Sequence, residues 1–385
     1  MQAPRPAVGR YYRPELDAVR FLAFILVFLH HALPESSDHR IAPLLKSFAP
    51  VYYAIHSGFR FGLTLFFTLS AFLICELLLR ERESVGAVAV KQFYIRRVLR
   101  IWPLYYLALS LGVIAALLPG GHRGDATSIA WYAIFLGAWH ASFYGTLRNP
   151  AMPLWSISVE EQFYLLVPWM TKYFNRRLLY VFCAAIILFS NAWLYYLGRN
   201  PVSDGRIWFD SFVQFECFAC GIVLCLVLHG RLPRMAIWKR LLLLAASCTA
   251  WFYASYAMHY RFETVQGPGS WHLIGGYALG AAGSVGILLA FLGIDPKLIP
   301  DWVVYLGRIS YGLYVYHEFA PYILSKLLIG HLASVDSPVF LLKGVLSLGL
   351  TILMAAISYR FFETPFLRLK RRHAVIDSQP APEVR

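Results

Sequence analysis

An arginine and a pair of histidines stand inside an apolar stretch, and their spacing is the first sign of chemistry in this chain. In DAVRFLAFILVFLHHALP, residues 17–34, Arg20 and His31 lie eleven residues apart. At 100° per residue that is about three turns of helix, so both fall on one face, about 16 Å apart along the axis. A guanidinium and an imidazole in apolar sequence are costly unless they face a bundle interior or a wet cavity, which makes them candidates for function. Asp17, one turn before Arg20, is placed to pair with it and fix its rotamer. His30 points off this face. A second stretch, WSISVEEQFYLLVPW (155–169), carries Glu160 and Glu161 in an otherwise apolar run, with Tyr164 one turn below Glu160. A Glu160–His31 pair would orient the imidazole as a general base. Arg20 is the other available partner, and a purely structural intramembrane ion pair is the alternative use of these groups. Glu161 points about 100° away and reads as a packing or interfacial contact.

Two further patterns belong with these. KQFYIRRVLRIWPLYY (91–106) sets Arg97 and Arg100 at i, i+3, one face of a helix that enters the membrane at Trp102 and Pro103. Such a pair can grip phosphate bidentately, although basic residues at a cytoplasmic membrane edge also serve topology or anionic lipids. YLGRISYGLYVYHEF (305–319) aligns Ser310, Tyr314 and His317 on one stripe. Polar groups along one helix face are interhelical glue more often than catalysts.

The elements that must position these residues follow from composition. Of 385 residues, 58% are hydrophobic and only 15% charged, more apolar surface than a soluble domain needs to bury. The chain reads as an all-α polytopic transmembrane bundle. Its net charge of +14 is spread between apolar runs, where positive-inside topology accounts for it without a nucleic-acid partner. The six cysteines all sit in apolar sequence, and Cys217-x-x-Cys220 lacks the second ligand pair of a zinc site, so no metal site is expected. The basic N-terminus feeds an uncleaved first span that starts in the cytoplasm.

After the first span, apolar runs occupy 58–79, 102–119, 129–144, 154–171, 178–197, 208–228, 241–258, 272–293, 303–329 and 338–360. If both 129–144 and 154–171 crossed, Lys172, Arg176 and Arg177 would lie outside and every later basic loop would be inverted. Parity therefore predicts about ten spans with both termini cytoplasmic. Crossing by 154–171 brings Glu160 into the outer half of the membrane with His31, so 129–144 is expected to be interfacial or re-entrant. The loop at 122–127 and Ser203 are then extracytoplasmic. Residues 1–372 form one membrane domain and 373–385 a disordered cytoplasmic tail, with no soluble domain appended.

Taken together, these motifs resemble the acyltransferase-3 family of integral-membrane O-acyltransferases almost end to end. LDAVRFLAFILVFLHH looks like that family's first helix, whose Arg-x10-His signature falls on Arg20 and His31. FFTLSAFLI (66–74), FYIRRVLRIWPLYY, WSISVEEQFYLLVP, ISYGLYVYH and FFETPFLRL resemble its later blocks in order. Ala71 stands where the family commonly has Gly, and LDAVR replaces the more usual LDGLR. The resemblance implies catalytic roles for His31 and Glu160 and acyl-donor handling by Arg97 and Arg100. From the residues themselves, Arg20 reads as positioning or donor binding deeper in the tunnel, and Asp17, Trp155, Tyr164, Ser310 and His317 as supporting groups. No fused hydrolase-like SGNH domain is recognised.

What this implies is a bacterial inner-membrane O-acyltransferase. It would move a short acyl group, acetyl in the simplest case, from acyl-CoA to a hydroxyl of a saccharide or glycoconjugate, with no bound cofactor. No covalent acyl-enzyme nucleophile stands out. The alternatives are a transporter using Arg, His and Glu as a proton or substrate pathway, and a non-catalytic protein in which these charges are internal glue. Visible repeat symmetry and paired broken helices, which a transporter would favour, are missing from the sequence.

Overall fold

A computed structural model describes residues 9–35, 45–118, 126–199, 204–256, 270–327 and 337–377. Ser203, residues 119–125 and the tail beyond Asp377 lie outside this description. Helix α1 (Pro14–Ala32) begins where proline takes the first helical position and Glu15 and Asp17 load the first turn, both favourable at the positive end of the helix dipole. The next helices are α2 (Ala49–Gly58), α3 (Phe61–Val85) and α4 (Val90–Leu117). Two short helices, α5 (Ala126–Ala133) and α6 (Gly137–Tyr144), precede the longer α7 (Leu154–Tyr173) and α8 (Arg176–Arg199). Then come α9 (Asp204–Phe209), α10 (Ser211–Leu228), α11 (Ile237–Tyr256) and α12 (Ser270–Phe291). The chain closes with α13 (Asp301–Arg308), α14 (Ser310–Tyr316), α15 (Phe319–Leu327), α16 (Ser337–Ile357), a π-helical turn at Ser358–Glu363, and α17 (Thr364–Arg371). Beyond α17, Ile376–Asp377 pairs in parallel with Gly9–Arg10, so the first residues of the segment expected to be a disordered tail are tied to the N-terminal segment.

Helix α3 is the hub. It is apolar on nearly every side, as a helix surrounded by others should be, and it packs on α1, α7, α10 and α12. Its contact with α10 is close because Gly221 lies flat against it: a Cβ at Gly221 would stand only 2.9 Å from that of Ala71. The methyl of Ala71 is thus accommodated by a glycine on the facing helix.

Six segments among the described residues have the length and composition to cross a membrane: Lys46–Val85, Val90–Leu117, Arg176–Arg199, Ser211–Leu228, Trp271–Phe291 and Leu341–Arg371. Those outside this set include the ones that carry the site. Helix α1 holds Glu15, Asp17 and Arg20, α7 holds Glu160 and Glu161, and the α13–α15 region is interrupted. The basic loops gather at one end of the bundle. Arg82 donates to the carbonyls of Thr171 and Phe174, each at 2.7 Å, Arg176 pairs with Glu83 at 3.1 Å, and Arg96 reaches the carbonyl of His373 at 2.9 Å. That convergence is the grouping of basic loops that positive-inside topology requires.

The stretch 129–144 is broken at Phe135, a bulky residue with φ +59°, whose ring is held among Trp102, Tyr105 and Tyr106. Each of α5 and α6 has eight residues, about 12 Å of helix, too short to span about 30 Å of hydrocarbon. This agrees with an interfacial or re-entrant segment.

The run 303–329 departs from expectation. It is not one continuous span but three helices, interrupted at Ile309 and again at His317 and Glu318. Pro321 accounts for the second break, because it has no N–H to offer the carbonyl of His317 four residues back and its ring crowds that carbonyl. At the first break, Gly307 seats α13 directly on α1, and a Cβ there would collide with the backbone of Asp17.

Gly307→Ala is therefore expected to destabilise the protein, although alanine is favoured in helices by about 1 kcal/mol. The overpacking cost of about 1–3 kcal/mol should outweigh that gain. Gly344→Ala, where nothing lies within 4 Å of the added Cβ, should leave stability unchanged or raised. Thermal unfolding of the two purified variants checks the contrast, and a Gly307→Ala protein as stable as Gly344→Ala would contradict the close packing of α13 on α1.

Candidate active site

The bundle leaves a cavity of about 260 Å³ at its basic end, between α1, α3, α4, α7, α13, α14 and α17. Seven cations line it (Arg13, Arg20, Arg97, Arg100, Arg308, Lys370 and Arg371) against two carboxylates, Asp17 and Glu160. The surplus of positive charge suits a polyanion, and phosphate groups above all, since guanidinium forks match their geometry. Sequence spacing had singled out Arg20, Asp17, Arg97, Arg100, Glu160, Tyr164, Ser310 and Tyr314, and all of them line this cavity.

The sequence reading missed Arg13, Arg308, Lys370 and Arg371. Their positions at membrane edges look topological in one dimension, and only the packing of α13 on α1 and of α17 on α4 turns them into the cavity wall. The helical phase of FLRLKRR against FYIRRVLR was the one signal available.

Local contacts hold the wall in place. Arg20 forms an ion pair with Asp17, one turn back. The Tyr12 hydroxyl donates to the other oxygen of Asp17 at 3.0 Å. Burial, followed by the neighbouring Asp17 carboxylate, pushes the Tyr12 hydroxyl well above its ordinary pKa, so it remains a donor. Arg97 lies over the rings of Phe93 and Tyr164, 5.3 Å from each centroid, and its buried Nε has no hydrogen-bond partner among the described residues. Ser70 and Tyr164 share a hydrogen bond of 2.8 Å across α3 and α7. Glu160 sits beside Tyr164, Ser70 and Arg97. Glu161 turns away from the cavity and accepts from the Trp102 indole at 3.2 Å, in keeping with a packing or interfacial contact.

His31 belongs to a different cluster. Its Nδ1 donates to the Val27 carbonyl at 2.8 Å, which leaves Nε2 with a free lone pair. Its ring centroid lies 5.0 Å from that of His317. The Nδ1 of His317 is likewise committed to a backbone carbonyl, that of Tyr314, and Glu318 stands beside them with its Oε1 3.8 Å from the His317 Nε2. The expected direct pairing of Glu160 with His31 is thus replaced. Glu160 is held on the cation wall by Arg97 and Tyr164, and the carboxylate beside His31 is Glu318, delivered by the break before Pro321.

A chain of polar groups joins the two clusters. Tyr314 lines the cavity, shares a 2.6 Å hydrogen bond with Ser156, and places its ring 5.3 Å from that of His317. Trp155 takes no part in this chain; it is buried edge-on against Phe209 at 4.7 Å and serves as packing.

Lys370 sits among Arg20, Arg96, Arg97 and Arg100, an arrangement of like charges that is unfavourable without an anion. Lys370→Gln is expected to raise the stability of the anion-free protein by about 1 kcal/mol. Pyrophosphate at one hundred times its Kd should stabilise wild type by about 2.7 kcal/mol and the variant by much less. Thermal shifts with and without pyrophosphate check both signs, and equal stabilisation of the two proteins would remove Lys370 from the anion site.

Comparison with known proteins gives a consistent picture. The sequence profile of the acyltransferase domain called Acyl_transf_3 matches residues 13–360. The peptidoglycan O-acetyltransferase OatA of Listeria monocytogenes is 26% identical over 382 residues, covering 93% of this chain and 56% of that protein. A putative O-acetyltransferase of Staphylococcus aureus strain MSSA476 is 24% identical over 383 residues, covering 92% of this chain and 57% of the relative. The O-acetyltransferase OatA of Staphylococcus aureus strain NCTC 8325 is 24% identical over 378 residues, with the same coverage. The chain spans a little over half the length of these curated relatives. No solved structure matches it. Because the profile runs from just before the first helix to the π-helical turn that follows α16, and takes in Arg20, Arg97, Arg100, Glu160 and the histidine cluster, the chain belongs to the acyltransferase-3 family.

Proposed function

We propose that this protein transfers a short acyl group, acetyl in the simplest case, from acyl-CoA to a hydroxyl of a saccharide or glycoconjugate in the bacterial inner membrane. The observation that carries the reading is the cavity with seven cations against two carboxylates, joined through Tyr314 and His317 to His31. Family membership and the O-acetyltransferase names of the relatives support the same reaction class.

The donor's phosphates are held by Arg97, Arg100 and Arg20, with Lys370 and Arg308 beside them. The acyl arm extends along the Tyr314 side of the bundle toward His31. There the Nε2 lone pair takes the proton of the acceptor hydroxyl, whose oxygen attacks the thioester carbonyl. The tetrahedral intermediate collapses with loss of the CoA thiolate, which takes that proton from the His31 imidazolium and restores the neutral base, and the acceptor keeps the acyl group as an ester. Val27 fixes the tautomer that makes this possible. Glu160 acts on the donor side, where it fixes Arg97 and Tyr164, rather than on the imidazole.

Purified protein with labelled acetyl-CoA and a panel of glycans tests the reading. Wild type should release or transfer the label, and His31→Ala should lower the rate by about 10²–10⁴-fold, the usual contribution of a general base. Arg97→Ala and Arg100→Ala should each raise the KM for acyl-CoA by about tenfold or more, the scale of one lost hydrogen bond between charged groups, and leave the acceptor KM unchanged. An unaltered donor KM returns the arginines to topology or lipid binding, and a fully active His31→Ala protein removes the basis for the enzyme.

A further inference from the structure

We propose that His31, His317 and Glu318 form a three-ligand site for a divalent transition-metal ion of the zinc type, and that the bound ion holds the protein inactive. Their donor atoms all lie within 4.8 Å of one another, and the His317 Nε2 to Glu318 Oε1 separation is 3.8 Å. Ligand atoms around a tetrahedral zinc stand roughly 3.4 Å apart, so the site needs closure of up to about 1.4 Å. Glu318 has a quarter of its side chain exposed and His31 sits at the open end of α1, so both have room to make that adjustment.

Two features mark this as a ligand set rather than a chance grouping. Both imidazoles have Nδ1 committed to a backbone carbonyl, Val27 for His31 and Tyr314 for His317, which leaves Nε2 as the donor atom in each. Metal-binding histidines are held in this way, with the second ring nitrogen hydrogen-bonded to fix tautomer and direction. The other feature is an unmet need. The His317 side chain is 0% exposed and its Nε2 has no hydrogen-bond partner among the described residues. A buried polar atom left in that condition is destabilising, and a coordinated cation would relieve it.

The neighbours do not compete for the ion. His56 has its Nε2 tied to the carbonyls of His30 and Leu33, and His30, 5.2 Å from His31 between ring centroids, is outside the set of donor atoms that lie within 4.8 Å of one another. Two imidazoles and one carboxylate favour zinc, copper or nickel over the oxygen-seeking calcium and magnesium. The exposed side of His31 leaves the fourth position for water. The inhibitory half of the proposal rests on the reading of His31 as general base: the ion occupies the Nε2 lone pair that must take the acceptor proton.

Equilibrium dialysis of the purified full chain against Zn²⁺ tests the site, with no polyhistidine tag and with bound metal measured by mass spectrometry. One ion per chain is expected, removable by a chelator. Glu318→Gln, which keeps shape and removes charge, should weaken binding by ten- to a hundredfold. His317→Ala should do the same, and His272→Ala, on the exposed start of α12, should not. Substitution by Co²⁺ should give the visible bands of a four-coordinate site. Absence of stoichiometric zinc in wild type, or unchanged affinity in Glu318→Gln, overturns the site whatever the enzyme does. Given binding, Zn²⁺ should suppress acyl transfer and a chelator should restore it, and transfer that proceeds at full rate with zinc bound overturns the inhibition. A protein that binds zinc but never transfers an acyl group contradicts the proposed reaction and leaves the metal site standing.

Discussion

Asp17 is the point on which the rest of the site depends. Its carboxylate neutralises Arg20 inside the bundle and accepts from Tyr12, and its backbone is the surface on which Gly307 lands. A guanidinium cannot stay in apolar surroundings unpaired, so this contact permits the cationic end of α1 to exist at all. The same residue fixes where α13 sits, and therefore where Arg308 and the helices after it begin. One side chain and one glycine thus set the distance between the cation wall and the segment that carries Ser310, Tyr314 and His317.

The interrupted course of α13 to α15 then decides which groups meet His31. A continuous helix over 303–329 would keep Glu318 about 100° from His317 on its cylinder. The break imposed by Pro321 lets His317 and Glu318 both approach the end of α1. Irregular backbone inside a membrane bundle is tolerated where protein or a cavity surrounds it, and His317 is fully buried there. The local loss of helix hydrogen bonds is thus tied directly to the assembly of the histidine cluster.

Much of this was legible in the sequence, and the reason is periodicity. The eleven-residue interval from Arg20 to His31, the i, i+3 pair Arg97 and Arg100, and the polar stripe from Ser310 are statements about helix phase, and helices dominate the fold. Charge parity likewise required one of 129–144 and 154–171 not to cross, and the break at Phe135 shows 129–144 to be the interrupted one. What escaped was contact between segments distant in sequence. Arg308, Lys370 and Arg371 look the same in one dimension whether they face cytoplasm or a cavity. The pairing of His31 with Glu160 was inferred from membrane depth, and depth does not determine azimuth: Arg97 and Tyr164 hold Glu160 on one side of the bundle while His317 and Glu318 come to His31 from another. The signal for that substitution was the Pro321 that follows His317 and Glu318, a helix breaker read as part of a continuous span.

Because Arg20 and His31 share one unbroken helix, the distance between the donor end and the reacting end is set by α1 itself, about 16 Å for eleven residues. The separation has a chemical use under the proposed reaction. Phosphate recognition needs dense positive charge, and an imidazole that must accept a proton works poorly beside such charge, since nearby cations oppose its protonation. Under that reaction, placing the two at opposite ends of a rigid element, with Tyr314 and Ser156 between them, keeps the cations close enough to anchor a long flexible donor and apart from the imidazole. A shorter interval would bring Arg20 toward the imidazole, and a flexible connection would give up the register between anchor and base. The conflict between holding an anion and accepting a proton is therefore resolved by helix length, and the arginine and histidine that stood out in the first apolar segment are the two ends of that solution.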